Sequence, residues 1–158
     1  MGEWAIRRRE KAVAGRAEIE AIIRKATVCR VGLSDGDQPY VVPLCFGYRD
    51  NILYFHSARE GRKLDILRRN DKVCFEFDVG GEVVKSGDPC RWGMRYQSVI
   101  GFGRATFVED AESKRRALEI IVNQYAAGAF SFPAEAIHTT AVIRVDIERM
   151  TGKQSGNI

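Results

Sequence analysis

The stretch 54-YFHSAREGRKLDIL-67 begins as one kind of element and ends as another. Tyr54 to Ser57 read as the end of a strand, Gly61 interrupts, and Leu64 and Leu67 then recur at the spacing of a helix face. Around the break stand His56, Ser57, Arg59, Arg62 and Lys63. A strand that passes through a glycine into a helix presents backbone N–H groups and the positive end of the helix dipole. Arg62 and Lys63 in the first helical turn oppose that dipole, which costs stability unless an anion neutralises them. The turn suits a phosphate. A plain solvated turn could carry the same residue types, and local physics leaves both readings open. His56, just before the turn, is the one candidate for a catalytic role, although a lone strand histidine is more often a hydrogen-bonded structural residue.

Upstream, 27-TVCRVGL-33 and 39-PYVVPLCFGY-48 flank 34-SDGDQ-38, where Asp35-Gly36 offers the positive φ angles of a tight hairpin. A second turn at Asp50-Asn51 leads into 52-ILYFHSA-58, so three successive antiparallel strands are expected to form a meander. Before them, Ile19, Ile22, Ile23 and Ala26 mark an amphipathic helix expected over about residues 7–25. Downstream, 72-KVCFEFDV-79 is a fourth strand, and residues 80–93 read as a polar loop with a candidate short strand at 82-EVVKS-86. In 95-RYQSVIGFGRATFV-108 the glycines Gly101 and Gly103 share a face, a sign of a sharp bend or of close backbone approach. Asp110 caps a helix with the stripe Leu118, Ile121, Val122, Tyr125, ending at Gly128. The last strand, 142-VIRVDIE-148, alternates Ile143, Val145 and Ile147 with charged residues. These elements predict one mainly β (α+β) domain over 1–158: a six-stranded antiparallel barrel, about residues 26–151, with peripheral helices.

Composition narrows the function classes. Hydrophobic residues make up 45% and charged residues 29% of the 158, as in a globular domain with a sizeable core. No apolar run approaches a membrane span, and 1-MGEWAIRRREK-11 is too charged for a signal peptide, so a cytoplasmic location with no membrane partner is expected. Cys29, Cys45 and Cys74 sit in apolar strand-like runs and no C-x-x-C occurs, so these thiols and Cys90 read as reduced and structural. Two histidines, His56 and His138, far apart in sequence, make no metal site. The net charge of +4 raises nucleic acid as a partner. The early cations Arg7, Arg8, Arg9 and Lys11 read instead as a solvated helix face, and no nucleic-acid-binding motif accompanies them.

The segments 39-PYVVPLCFGY-48, 52-ILYFHSAREGRKLDILRRNDKVCFEFD-78 and 90-CRWGMRYQSVIGFGRATFVED-110, with 7-RRREK-11 and 151-TGKQSG-156, give the chain a resemblance to a known family. It resembles the FMN-binding split-barrel proteins related to pyridoxamine 5′-phosphate oxidase, and among them the nitroimidazole-resistance (Nim-type) branch. That resemblance implies a six-stranded split β-barrel that forms a homodimer with FMN at the interface. It places Val42, Pro43, Leu44 and Cys45 beside the flavin ring and His56, Ser57, Ala58, Arg62 and Lys63 around the phosphate. A neighbouring protomer would complete the pocket through Trp92, Tyr96, Ser98 and Val99. Pro43 fits an irregular strand beside a flat ring, and equally an ordinary edge strand.

The C-terminal 149-RMTGKQSGNI-158 lacks the histidine arrangement with which pyridoxamine phosphate oxidases hold their substrate, so vitamin oxidation is not expected. The resemblance implies instead an FMN-dependent oxidoreductase that passes electrons from NADH or NADPH to a small acceptor such as a nitroheteroaromatic. The alternative is a flavin- or haem-binding carrier or sensor without turnover, and the phosphate cluster suits FMN better than haem.

Overall fold

The chain builds one edge of a sheet, crosses to the opposite edge, and then fills the middle with its longest strands. The computed structural model describes residues 8–156. In chain order the elements are β1 (Ala12–Val13), α1 (Arg16–Lys25), β2 (Cys29–Asp35), β3 (Gln38–Leu44), β4 (Gly47–Arg49), β5 (Ile52–Ser57) and α2 (Arg62–Arg69). After them come β6 (Lys72–Val84), β7 (Gly93–Val108), α3 (Ala111–Asn123), α4 (Ala134–Thr139) and β8 (Ala141–Ser155). The strands join in the order β3-β2-β6-β7-β8-β5-β4, all antiparallel, with β1 added to β8. Six strands have six or more residues, as the sequence predicts, and β1 and β4 are short additions. The sheet does not close, so the barrel is split between β3 and β4.

The expected meander does not form. β3 pairs with β2, but the chain then crosses through Cys45–Phe46 to the far edge, where β4 and β5 pair with each other and β5 with β8. Phe46 explains the crossing. It is completely buried, its ring centre lies 4.7 Å from that of Phe77, and its N–H donates to the Tyr125 hydroxyl at 2.9 Å. Burying such a ring contributes about 1.5–3 kcal/mol, more than an isolated two-strand edge pair returns. The turn at Asp50 and Asn51, both at positive φ, forms as predicted. In the first hairpin the turn residues are Gly36 and Asp37, and only Gly36 has positive φ.

The inner face carries Val31, Leu33, Phe55, Phe75, Phe77, Val99, Ile143 and Val145, covered by Ile19, Ile22 and Ile23 of α1. The two strand glycines exist for close approach. A Cβ on Gly101 would stand 2.1 Å from the Phe75 ring, and one on Gly103 would stand 2.4 Å from the Asp146 carbonyl oxygen, beside the irregularity at Phe102/Gly103.

Three boundaries differ from expectation. The N-terminal helix starts at Arg16; Arg9–Lys11 form a single 3-10 turn and Ala12–Val13 pair with Lys153 and Gly152. Gly15, extended, separates the two, while Arg7 lies outside the described residues. Glu82–Val84 form no separate strand: they continue β6 past an irregularity at Val79/Glu82 and pair with β7, making an exposed two-stranded arm. α3 ends at Asn123, so Tyr125 leaves the helix stripe and its hydroxyl instead donates to the Thr27 carbonyl.

Candidate functional site

The turn between β5 and α2 is built as its sequence suggests. β5 ends at Ser57, Ala58 to Gly61 are exposed, and Arg62 opens the helix. Gly61 sits at φ 130°, a conformation closed to most side chains, and provides the N-cap with no side chain to bond the first-turn amides. The Leu64 and Asp65 N–H groups bond the Gly61 carbonyl, and the earlier amides of α2 have no capping side chain.

The two cations of the turn are in different electrostatic states. Arg62 lies 3.8 Å from Asp35 and stacks over the Tyr40 ring at 5.0 Å. Lys63 is half-buried, and among the described residues no carboxylate pairs with it. Desolvation alone moves its pKa, and moves it downward. A half-buried ammonium without a counter-charge is an unfavourable arrangement that an anion at the helix start would relieve. Ser57, half-buried, adds a hydroxyl donor, and His56 is exposed on the strand. The turn can therefore bind a phosphate through amides, a hydroxyl and an ammonium.

Asp35 and Tyr40 were not legible as site residues. Both belong to the β2–β3 hairpin, and only the docking of α2 against it brings them to Arg62; Arg69 of the same helix also pairs with Asp35 at 2.7 Å. No local signal marks such a long-range contact.

The predicted ring-side residues divide by face. Val42 and Leu44 are half-buried against the core, on the same side of β3 as Tyr40. Pro43 is exposed on this edge strand, whose free side loses nothing when a donor is missing. Cys45 is exposed at the crossing, which corrects its reading as a buried hydrophobe. Cys29 is buried and Cys74 half-buried, and burial pushes both thiols up, whereas Cys90 is exposed.

Trp92, Tyr96, Ser98 and Val99 are not brought to the turn within one chain. Ser57 pairs with Ala141 at the start of β8, whereas Tyr96 and Ser98 pair with Ser155 and Lys153 at its end. Val99 points into the core and is completely buried, so its side chain cannot line a shared pocket. Trp92 is 48% exposed on the arm.

A separate cavity of about 140 Å³ lies on the other side of α2, among Arg59, Arg68, Phe107, Glu109 and Lys114. It is below the roughly 300–1,000 Å³ of an organic-ligand site, and Glu109 shares its wall with the cations.

An unclosed antiparallel barrel with peripheral helices defines a split-barrel protein. Residues 15–154 match the family described as Pyridoxamine 5′-phosphate oxidase, and the chain belongs to that family. Among solved structures it is similar to a protein of Bacteroides thetaiotaomicron provisionally named as a 5-nitroimidazole antibiotic resistance protein. The two are 40% identical, with 90% of this chain and 85% of that chain covered and a TM-score of 0.81. The flavocytochrome Anf3 of Azotobacter vinelandii (22% identity, 97% of this chain and 73% of that chain, TM-score 0.85) shares the fold. So does a FAD and haem binding protein of Mycobacterium smegmatis (18% identity, 93% and 74%, TM-score 0.84). A 65-residue stretch is 33% identical to an uncharacterized protein of Rhizobium meliloti (strain 1021), covering 41% of this chain and 42% of that one. The chain thus matches less than half the length of that curated relative.

Proposed function

We propose that the protein binds FMN, with its phosphate at the Ser57–Lys63 turn, and uses it to carry electrons from NADH or NADPH to a small acceptor such as a nitroheteroaromatic. The observation that carries this reading is Lys63, a half-buried cation without a counter-charge at an uncapped helix start. The similarity to the 5-nitroimidazole resistance protein supports the acceptor class. When bound, the flavin would supply the two-electron chemistry. The chain's own residues bind and orient: Lys63, Arg62 and Ser57 hold the phosphate, and the Val42–Cys45 edge lies along the ring.

The working unit of this reading is a homodimer. The outward face of the sheet carries Val41 (61% exposed) on β3 and Ile100 (45%) on β7. Cross-strand pairing sets Val41, Gly32, Cys74 and Phe102 in one row across four strands, a surface that a second copy would cover. Trp92 and Tyr96 would then reach the flavin of the partner.

The test is the absorption spectrum of freshly purified protein, followed by nicotinamide oxidation with a nitroaromatic acceptor. Two flavin bands and acceptor-dependent turnover are expected. A colourless protein that FMN does not reconstitute would overturn the reading, and a Soret band would assign the fold to haem. Flavin bands without turnover would leave a carrier.

A further inference from the structure

A second cationic groove lies at the opposite end of β8 from the Lys63 turn. It has a volume of about 390 Å³ and is walled by Arg8, Lys11, Met94, Tyr96, Lys153 and Ser155. That size falls within the roughly 300–1,000 Å³ range of sites for organic ligands and exceeds what one inorganic ion needs. Among the described residues none of the three cations has a carboxylate partner. Lys11 Nζ donates to Ser155 Oγ at 2.9 Å and Lys153 Nζ lies 5.7 Å from the Tyr96 ring centre. Glu10 and Glu18 line a neighbouring groove that shares Lys11 with this one.

The groove is held by the fold. The segment Arg8–Val13 is strapped across the end of β8 by the Ala12↔Lys153 and Val13↔Gly152 pairs and by the Lys11–Ser155 bond. Gly152 makes the strap fit: a Cβ there would lie 2.9 Å from both Val13 and Ile19. The N-terminal strand, which breaks the expected helix, is what puts Arg8 and Lys11 beside Lys153.

Three cations in one groove ask for a ligand with more than one negative charge, and the Tyr96 and Met94 wall suits a flat ring. We infer that this groove takes the phosphorylated adenosine end of the nicotinamide donor, so that the donor carrying the extra ribose phosphate is preferred. This rests on the proposed flavin function and its homodimer, because the need for a donor selects among phosphorylated nucleotides and the flavin within reach of this groove is the partner's, beside Tyr96.

Isothermal titration of the flavin-loaded protein with adenosine 2′,5′-bisphosphate tests it without turnover, with adenosine 5′-monophosphate as the comparison. The bisphosphate should bind more tightly. Arg8→Met together with Lys153→Met, which leave the Lys11 bond intact, should weaken it about ten-fold or more, the factor expected for losing one charge-assisted phosphate contact. The flavin spectrum and the melting temperature should stay in place. Lys11→Met is the second variant and should weaken binding in the same sense. Absence of bisphosphate binding to the parent protein, or unchanged affinity in the double variant, overturns the inference. Binding that depends on these cations in a protein whose flavin NADPH never reduces would overturn the proposed function and leave the groove's ligand class standing.

Discussion

The Arg62 guanidinium stands over the Tyr40 ring, 5.0 Å from its centre, and so ties the start of α2 to the edge strand β3. The β5–α2 turn and the edge strand β3 are held in one frame by that contact and by Asp35. Tyr40→Leu removes the aromatic support, which accounts for about 0.5–1 kcal/mol at an exposed site. FMN affinity should fall a few-fold in fluorescence titration, with stability nearly unchanged. An unchanged affinity would show that Arg62 needs no such support.

Removing both turn cations, as Arg62→Ala with Lys63→Ala, should cost FMN binding several kcal/mol, because each charge-assisted phosphate contact contributes about 1.5–3 kcal/mol. Flavin occupancy after purification and titration of the apoprotein both report it. Full occupancy in the double variant would place the phosphate elsewhere.

Burial holds Lys63 below its ordinary pKa of 10.5 in the flavin-free protein. Between that lowered value and 10.5 the unfolded chain binds the proton and the folded chain does not. The contribution of this group to stability therefore rises with pH through the window, and the cost of the buried charge is fully present below it. A bound phosphate needs the charged form. FMN affinity should accordingly fall as pH rises through the lowered pKa, with proton uptake on binding in that range, and Lys63→Met should abolish that part of the pH dependence. Titrations in buffers of different ionisation enthalpy measure the proton directly.

Gly101→Ala would push a Cβ into the end of the Phe75 ring, and overpacking of that kind costs about 1–3 kcal/mol. Phe75→Leu in the same chain should relieve part of it, so the two changes should couple in urea denaturation. Gly47→Ala should cost at least as much and find no such relief, since its Cβ would stand 2.6 Å from the backbone nitrogen of Ile121. Additive effects at Gly101 and Phe75 would show that the ring moves aside without strain.

Ile100→Glu places a charge on the outward face of β7, two residues from Phe102 in the apolar row. Sedimentation should show a shift from dimer to monomer, and flavin should be lost in parallel. A monomeric variant that keeps its flavin would refute the shared pocket, and an unchanged dimer would put the interface on another face.

Much of the chain was readable from its own order, because the signals are local. The β5-to-α2 turn, the Asp50–Asn51 hairpin, the Asp110 cap and the inward set Ile143, Val145 and Ile147 each depend on residues within a few positions of one another. The strand partners were not readable. Cys45–Phe46 is as short a link as a hairpin turn would be, and only the burial of Phe46 against Phe77 and Tyr125 sends β4 to the far edge. The same holds for the N-terminus, where the backbone of Ala12 and Val13 found partners in a strand about 140 residues later along the chain. Local sequence therefore determined the turn and its cations, while tertiary pairing decided that Tyr40 and Asp35 stand beside Arg62 and assembled the cationic groove at the far end of β8. Hydrogen bonds between strands are indifferent to side chains, so the choice among partners rests on which apolar faces can be buried together, and that is settled by the whole fold at once.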